Sequence, residues 1–188
     1  MANETMKYRR TSSDVQVGTA GTGVTVVEKA SGVFHVTEIT LAGLSIAITG
    51  GAQSTGALIY TMPPGDVVLI NSALNLSIVG TTAHVADTPE FGLGTVLASG
   101  TQVTLGATVT TWEDLWGPYV LAGMAADGTE GILGVSGGSG TTAVQSYGKV
   151  WKTADTARGI NLNTADTFAT GVGSITITGK IWLTWIAL

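Results

Sequence analysis

The pattern of apolar and polar positions along the chain is that of short β-strands. Val24–Lys29 and Val33–Leu41 are β-branched runs separated by the turn signal Ala30-Ser31-Gly32. In the second run both alternating sets are mixed in polarity, so the pattern leaves its inward face open. Leu44–Thr49 follows and ends at Gly50-Gly51. Ala57–Met62 is a short strand that stops at Pro63-Pro64-Gly65-Asp66, where neither proline can donate to a ladder. Val67–Ile70 comes next. In Leu74–Val79 the residues Leu74, Leu76 and Ile78 share one face, with Asn75 and Ser77 on the other, as in a half-buried strand.

Gly92–Ala98 and Gln102–Val109 read as a hairpin about Ser99-Gly100. Trp112–Trp116 reads as one helical turn stopped by Gly117-Pro118, and residues 125–148 as glycine-rich loops with short strands. The clearest strand is Ser174–Leu188. Near its end Ile181, Leu183 and Trp185 alternate with Trp182, Ile186 and Leu188, so burial on both sides is expected there. Twelve-residue windows with a helical apolar period are missing. Eight or more short strands joined by Gly/Thr loops make an all-β sandwich or barrel. Residues 1–23 lack a sustained apolar period and are expected to form an extended arm, with residues 24–188 as one domain.

Composition sharpens this picture. Charged residues make up 11% of the 188-residue chain, against about 25% in a typical soluble domain, while the hydrophobic fraction is 44%. The chain has enough apolar residues to bury a core, which argues against disorder. It has no cysteine, so disulfide scaffolds and Cys-ligated metals are excluded. A Thr-rich, charge-poor surface is poorly defended against association, which points to contact with other subunits.

The charge is also unevenly placed. Lys7, Arg9 and Arg10 against Glu4 give residues 1–10 a net of +2; the remainder carries −7, summing to −5. A basic arm before an acidic body is no nucleic-acid footprint, so nucleic acid is not expected as a partner. Met1–Arg10 lacks an apolar h-region, and Asn71, Ser72, Asn75 and Ser77 interrupt the uncharged stretch Val67–Ala86. Neither a secretion signal nor a membrane span is therefore expected.

Catalytic motifs fail on context. Gly134-Val135-Ser136-Gly137-Gly138 fits G-x-S-x-G, yet no histidine follows it and its C-terminal flank is a poor helix start. A trypsin-like order from His84 to Ser136 lacks the aspartate before the serine and leaves too little chain for two barrels. Gly179-Lys180 is followed by Ile181 where a P-loop needs Ser or Thr. His35 and His84 share no ligand motif, and Asp127-Gly128-Thr129-Glu130 lacks the ligand ladder of an EF-hand. The expectation is no catalytic residue, no metal and no cofactor. Trp112, Trp116, Trp151, Trp182 and Trp185 are assigned to cores or interfaces, with a sugar-binding platform as the alternative.

Three phrases carry a resemblance. Ile59-Tyr60-Thr61-Met62-Pro63-Pro64-Gly65-Asp66-Val67-Val68-Leu69-Ile70 with Leu74-Asn75-Leu76-Ser77-Ile78 is the first, and Pro89-Glu90-Phe91-Gly92-Leu93-Gly94-Thr95-Val96 the second. The third is Ile175-Thr176-Ile177-Thr178-Gly179-Lys180-Ile181-Trp182-Leu183-Thr184-Trp185. Together they resemble stretches of tailed-bacteriophage virion structural proteins over roughly residues 33–188. The Gly65-Asp66 turn and the Trp112–Trp116 insert depart from that pattern, and the basic arm has no counterpart in it. The resemblance implies a jelly-roll-like β-sandwich on the virion, made in the host cytoplasm, that decorates the major capsid protein lattice as a homotrimer. Lys7, Tyr8, Arg9, Arg10, Trp182 and Trp185 are the expected partner-binding residues. A carbohydrate-binding or host-attachment module of a fibre or spike is the alternative.

Overall fold

A computed structural model describes residues 18–49, 51–80, 87–106, 111–121, 130–135, 148, 150–152, 158–168 and 172–188, with 130–135 described as backbone. The strands are β1 (Thr19–Ala20), β2 (Val24–Ser31), β3 (Phe34–Ile48), β4 (Ser54–Thr61), β5 (Val67–Gly80) and β6 (Glu90–Gly94). They continue with β7 (Trp116–Val120), β8 (Glu130–Val135), β9 (Val150–Trp151), β10 (Gly159–Ala165) and β11 (Gly173–Ala187). No helix occurs among the described residues. Two antiparallel sheets pack face to face as a β-sandwich: a short-stranded sheet ordered β1-β4-β10-β6-β7, and a long-stranded sheet ordered β2-β3-β11-β5-β8, with β9 also on β5.

The core fills the space between them. Ile39, Leu41, Leu44 and Ile46 of β3, Leu69, Leu74, Leu76 and Ile78 of β5, and Ile175, Ile177, Ile181, Leu183 and Trp185 of β11 face Ile59 and Tyr60 of β4, Phe91 and Leu93 of β6, and Ile160 and Leu162 of β10. Each fully buried aliphatic side chain contributes roughly 1.5–3 kcal/mol relative to exposure.

Two bulges explain why the sequence reads as more, shorter strands than the fold has. In β3 the register slips at Gly43, between the pairs Ile177↔Leu44 and Thr178↔Ala42, and the buried set moves from Thr37, Ile39, Leu41 to Leu44, Ile46, Ile48. Gly43 takes φ +87°, which suits an inserted residue. In β5 Ile70 is the extra residue between the partners of Thr184 and Trp185, so burial moves from Val67 and Leu69 to Ser72, Leu74 and Leu76. The two halves expected on either side of each slip are therefore one continuous strand.

Three local expectations are corrected. Among the described residues 95–106 no hairpin strands form about Ser99-Gly100; an isolated bridge, Ser54↔Gly100, stands there instead, and residues 107–109 lie outside the described residues. There the Gly100 carbonyl accepts from the N–H groups of Gln53 and Ser54. Trp112–Leu115 is a series of bends, and Trp116 opens β7; Leu115 N–H donates to Leu93 O, a ladder-like bond that competes with a helical turn. The end of β11 is fully buried on one face only. Trp182 and Ile186 are half-buried on the other, and Leu188 is exposed. Of the expected arm, Thr19–Ala20 forms β1, paired with Thr61 and Tyr60 of β4, and residues 1–17 lie outside the described residues.

The outer face of the short-stranded sheet is covered by the chain itself along β6 and β10. Outward-facing Asn163 of β10 has Gly56 and Gly92 as its cross-strand neighbours, and Asn161 has Gly94. A Cβ at Gly94 would lie 2.3 Å from Thr111 O, and one at Gly92 would lie 2.9 Å from the Glu113 side chain. These bare positions form a trough that accepts the segment after β6. Ala98, Leu105 and Trp112 close over Ala165 there as a second, smaller core.

Candidate functional site

Two places gather polar or accessible side chains in a way that bears on function: a buried cluster between the sheets and the open outer face of the long-stranded sheet.

The buried cluster begins at Glu28 of β2, which faces inward opposite Thr37 of β3. Glu28 Oε1 lies 2.6 Å from His35 Nδ1, while Thr37 Oγ1 (3.4 Å) and Tyr60 Oη (3.3 Å) both donate to Oε2. Trp185 stacks on the His35 ring at a centroid distance of 3.9 Å and donates its indole N–H to Thr37 Oγ1 at 2.9 Å. Burial, followed by the adjacent Glu28 charge, pushes the Tyr60 phenol well above its ordinary range, so Tyr60 remains a neutral donor. A histidine held by a carboxylate is general-base hardware. Here both hydroxyls of the cluster are spent on Glu28 instead of facing the imidazole. The arrangement ties β2, β3 and β11 to β4 of the opposite sheet.

The open face has a different character. Outward positions of β2, β3, β5 and β11 carry only Lys29, Glu38 and Lys180 as charged groups. At its centre Lys180 Nζ lies 2.5 Å from Glu38 Oε1, and Trp182 donates its indole N–H to Glu38 Oε2 at 3.0 Å. The Lys180 hydrogen bond, then that of Trp182, holds the Glu38 carboxyl below the usual carboxylate range. Beside them Asn75, Ser77, Thr178, Gly179, Lys180 and Trp182 line a shallow open depression.

Toward the other end of the face, Phe34, Ile186, Val68 and Val150 are cross-strand neighbours on four adjacent strands. Val36 and Ile70 flank this row. Phe34 is 57% exposed, and Ile70 and Val150 are each 44% exposed. Together they place several partly exposed apolar side chains side by side on this face.

Of the residues expected from the sequence to bind a partner, Lys7, Tyr8, Arg9 and Arg10 lie outside the described residues. Trp182 lies at the middle of the open face. Trp185 points the other way, 1% exposed within the core, because the period-2 alternation of β11 puts residues 182 and 185 on opposite faces. It is a core residue, and of the two only Trp182 lies on the open face. Trp112, Trp116 and Trp151 are buried too.

Ser136, His84 and residues 127–129 also lie outside the described residues. Among the described residues no three His, Cys, Asp or Glu side chains converge to hold a metal ion, and no helix is long and apolar enough to cross a membrane. The row Phe34–Ile186–Val68–Val150 escaped sequence reading because its members come from four separate segments and meet only through register. The available signal was the mixed polarity of both faces of Val33–Leu41.

Comparison of the chain with protein-family models, curated proteins and solved structures finds no match.

Proposed function

We propose that this chain is a non-enzymatic virion structural protein, a capsid decoration or minor capsid protein with a jelly-roll-like sandwich, which binds a head lattice as an oligomer. The observation that carries this reading is the contrast between its two outer faces. The short-stranded sheet has the outer side of β6 and β10 covered by Ala98, Leu105 and Trp112 of the chain itself. The long-stranded sheet leaves a broad, charge-poor face open, with an apolar row across four strands. A flat face of this composition suits a repeating protein lattice, where contact area comes from complementary surfaces and no reactive group is required.

The reading has a direct test. Ile186→Asp places a carboxylate at the centre of the row without touching the core, since Ile186 points outward. Burying that unpaired charge in a contact is costly. We expect capsid co-sedimentation to weaken by at least about tenfold, with thermal unfolding nearly unchanged. Undiminished binding by the folded variant would rule out this face as the lattice contact.

One observation favours a second reading as a host-attachment module. The depression beside Trp182 combines an indole with Asn75, Ser77, Thr178 and Lys180, a mixture suited to a sugar. On that reading Trp182 fluorescence shifts on glycan addition and the response disappears in Trp182→Leu.

A further inference from the structure

Sandwich edges are places where a sheet can recruit another strand, and natural proteins blunt them. Three edge regions here are short, interrupted or shared. β1 has two residues and covers only the Thr61 end of β4; β7 contains Pro118, which has no N–H to donate; the edge beyond β5 is split between β8, six residues interrupted by Gly131 and Gly134, and the two-residue β9. β2 differs from all of them. Its eight residues, Val24-Thr25-Val26-Val27-Glu28-Lys29-Ala30-Ser31, contain no proline or glycine. It pairs with β3 without a register slip, and among the described residues no strand lies on its other side. Its inward charge, Glu28, would discourage pairing if it were open, but the carboxylate is taken up inside by His35, Thr37 and Tyr60.

We infer that the free edge of β2 is an assembly surface whose occupant is β2 of a second copy, paired antiparallel across a two-fold axis with Val27 opposite Val27 of the other copy. The register follows from the sequence. Two-fold pairing normal to the sheet keeps inward residues opposite inward ones, so the two position numbers in each pair sum to an even value. Overlap is longest, seven pairs, at sums of 54 and 56. A sum of 56 sets the buried Glu28 directly against its own copy, a like-charge pair. A sum of 54 avoids this: Glu28 meets Val26, and outward-facing Lys29 meets Thr25. Charge and overlap select one register.

That pairing makes a single ten-stranded sheet from the two β2-β3-β11-β5-β8 sets, and it joins the two open faces edge to edge. The row Trp182, Glu38, Val27 continues into Val27, Glu38, Trp182 of the second copy. The contact is isologous and self-limiting. It makes the smallest assembly a dimer, and a trimer as the resemblance implies is accommodated only as two trimers back to back. The inference stands independently of what the open face docks on.

The test uses the full chain. Sedimentation is expected to give a species of even copy number, twice the 19.1 kDa chain mass or a multiple of it. Because the chain has no cysteine, Val27→Cys supplies a single thiol at the symmetry axis, and mild oxidation is expected to link most chains into covalent dimers. Val103→Cys, at an exposed position away from β2, is expected to remain mostly unlinked. Val27→Lys places two ammonium groups opposite each other in the pair while lying next to Glu38 in the single chain. It is expected to raise the dimer dissociation constant at least about tenfold with the fold retained by circular dichroism. A monomeric wild-type chain overturns the inference. So does an oligomer that Val27→Lys leaves intact, or equal cross-linking through residues 27 and 103.

Discussion

Asn163→Ala is expected to lower the unfolding free energy by about 4 kcal/mol and to release the cover of the short-stranded sheet. Asn163 is fully buried in the middle of β10. Its Nδ2 donates to Val96 O at 2.9 Å and Trp112 O at 2.7 Å, and its Oδ1 accepts from Ala98 N–H at 2.9 Å. One side chain thus holds three backbone groups of a segment that has no ladder of its own. Truncation leaves an N–H and two carbonyls buried without partners, each costing about 1–3 kcal/mol, and adds a cavity between Gly56 and Gly92. Domains hold only about 5–15 kcal/mol in total, so the variant should be close to its limit. Urea unfolding gives the free energy, and Trp112, 5% exposed in the native state, reports opening through a red-shifted emission. A change under about 1 kcal/mol would show that the cover is held by something other than Asn163.

The second large effect is on pH dependence and centres on Glu113. This residue is 1% exposed, and neither carboxylate oxygen has a hydrogen-bond partner among the described residues. Burial, then the nearby charges of Glu90 and Asp114, pushes its carboxyl up to about 7 from 4.5. The two neighbours cannot relieve it, being acceptors themselves. Glu90 Oε2 takes the Leu105 N–H, and Asp114 takes the N–H and hydroxyl of Thr95.

A carboxyl raised in the folded state favours folding when protonated. Its contribution is complete below about pH 4.5 and is lost as pH climbs through about 7. The full span corresponds to about 3 kcal/mol. Glu113→Gln keeps the shape and cannot ionise, so the variant should match the wild type near pH 4 and exceed it by about 3 kcal/mol near pH 9. Taking the difference between the two proteins cancels the titration of groups that do not interact with Glu113. Parallel stability curves from pH 4 to pH 9 would contradict a buried, unpartnered Glu113.

The β class was legible from the sequence because the strand signals are local: β-branched runs, period-2 alternation in Leu74–Val79, and Pro63-Pro64 as a stop. The last strand is legible for the same reason. Bulges hid the true lengths of β3 and β5, since one inserted residue moves every following apolar side chain to the other parity. The segment from Thr95 to Leu115 misled for a different cause. Its apolar residues Ala98, Leu105 and Trp112 pack on a glycine trough far along the chain, and nothing in their own spacing marks that surface.

The candidate face was half legible. The sequence paired Trp182 with Trp185, yet only Trp182 lies on the open face, and the two differ in the parity of their positions. Likewise Phe34 and Val150 acquire meaning only when the ladder places them beside Ile186 and Val68. Local chemistry specified which segments are strands; long-range register specified which side chains share a surface.

The central proposal is that the open sheet face meets other protein subunits. The most direct test of that proposal is a cryo-electron-microscopy map of virions from a phage that carries this sequence. The account predicts density for the sandwich on the head, with Phe34, Val68, Val150 and Ile186 against lattice subunits and the covered short-stranded sheet turned toward solvent. A particle without the chain, or one in which that face is bare, would contradict it.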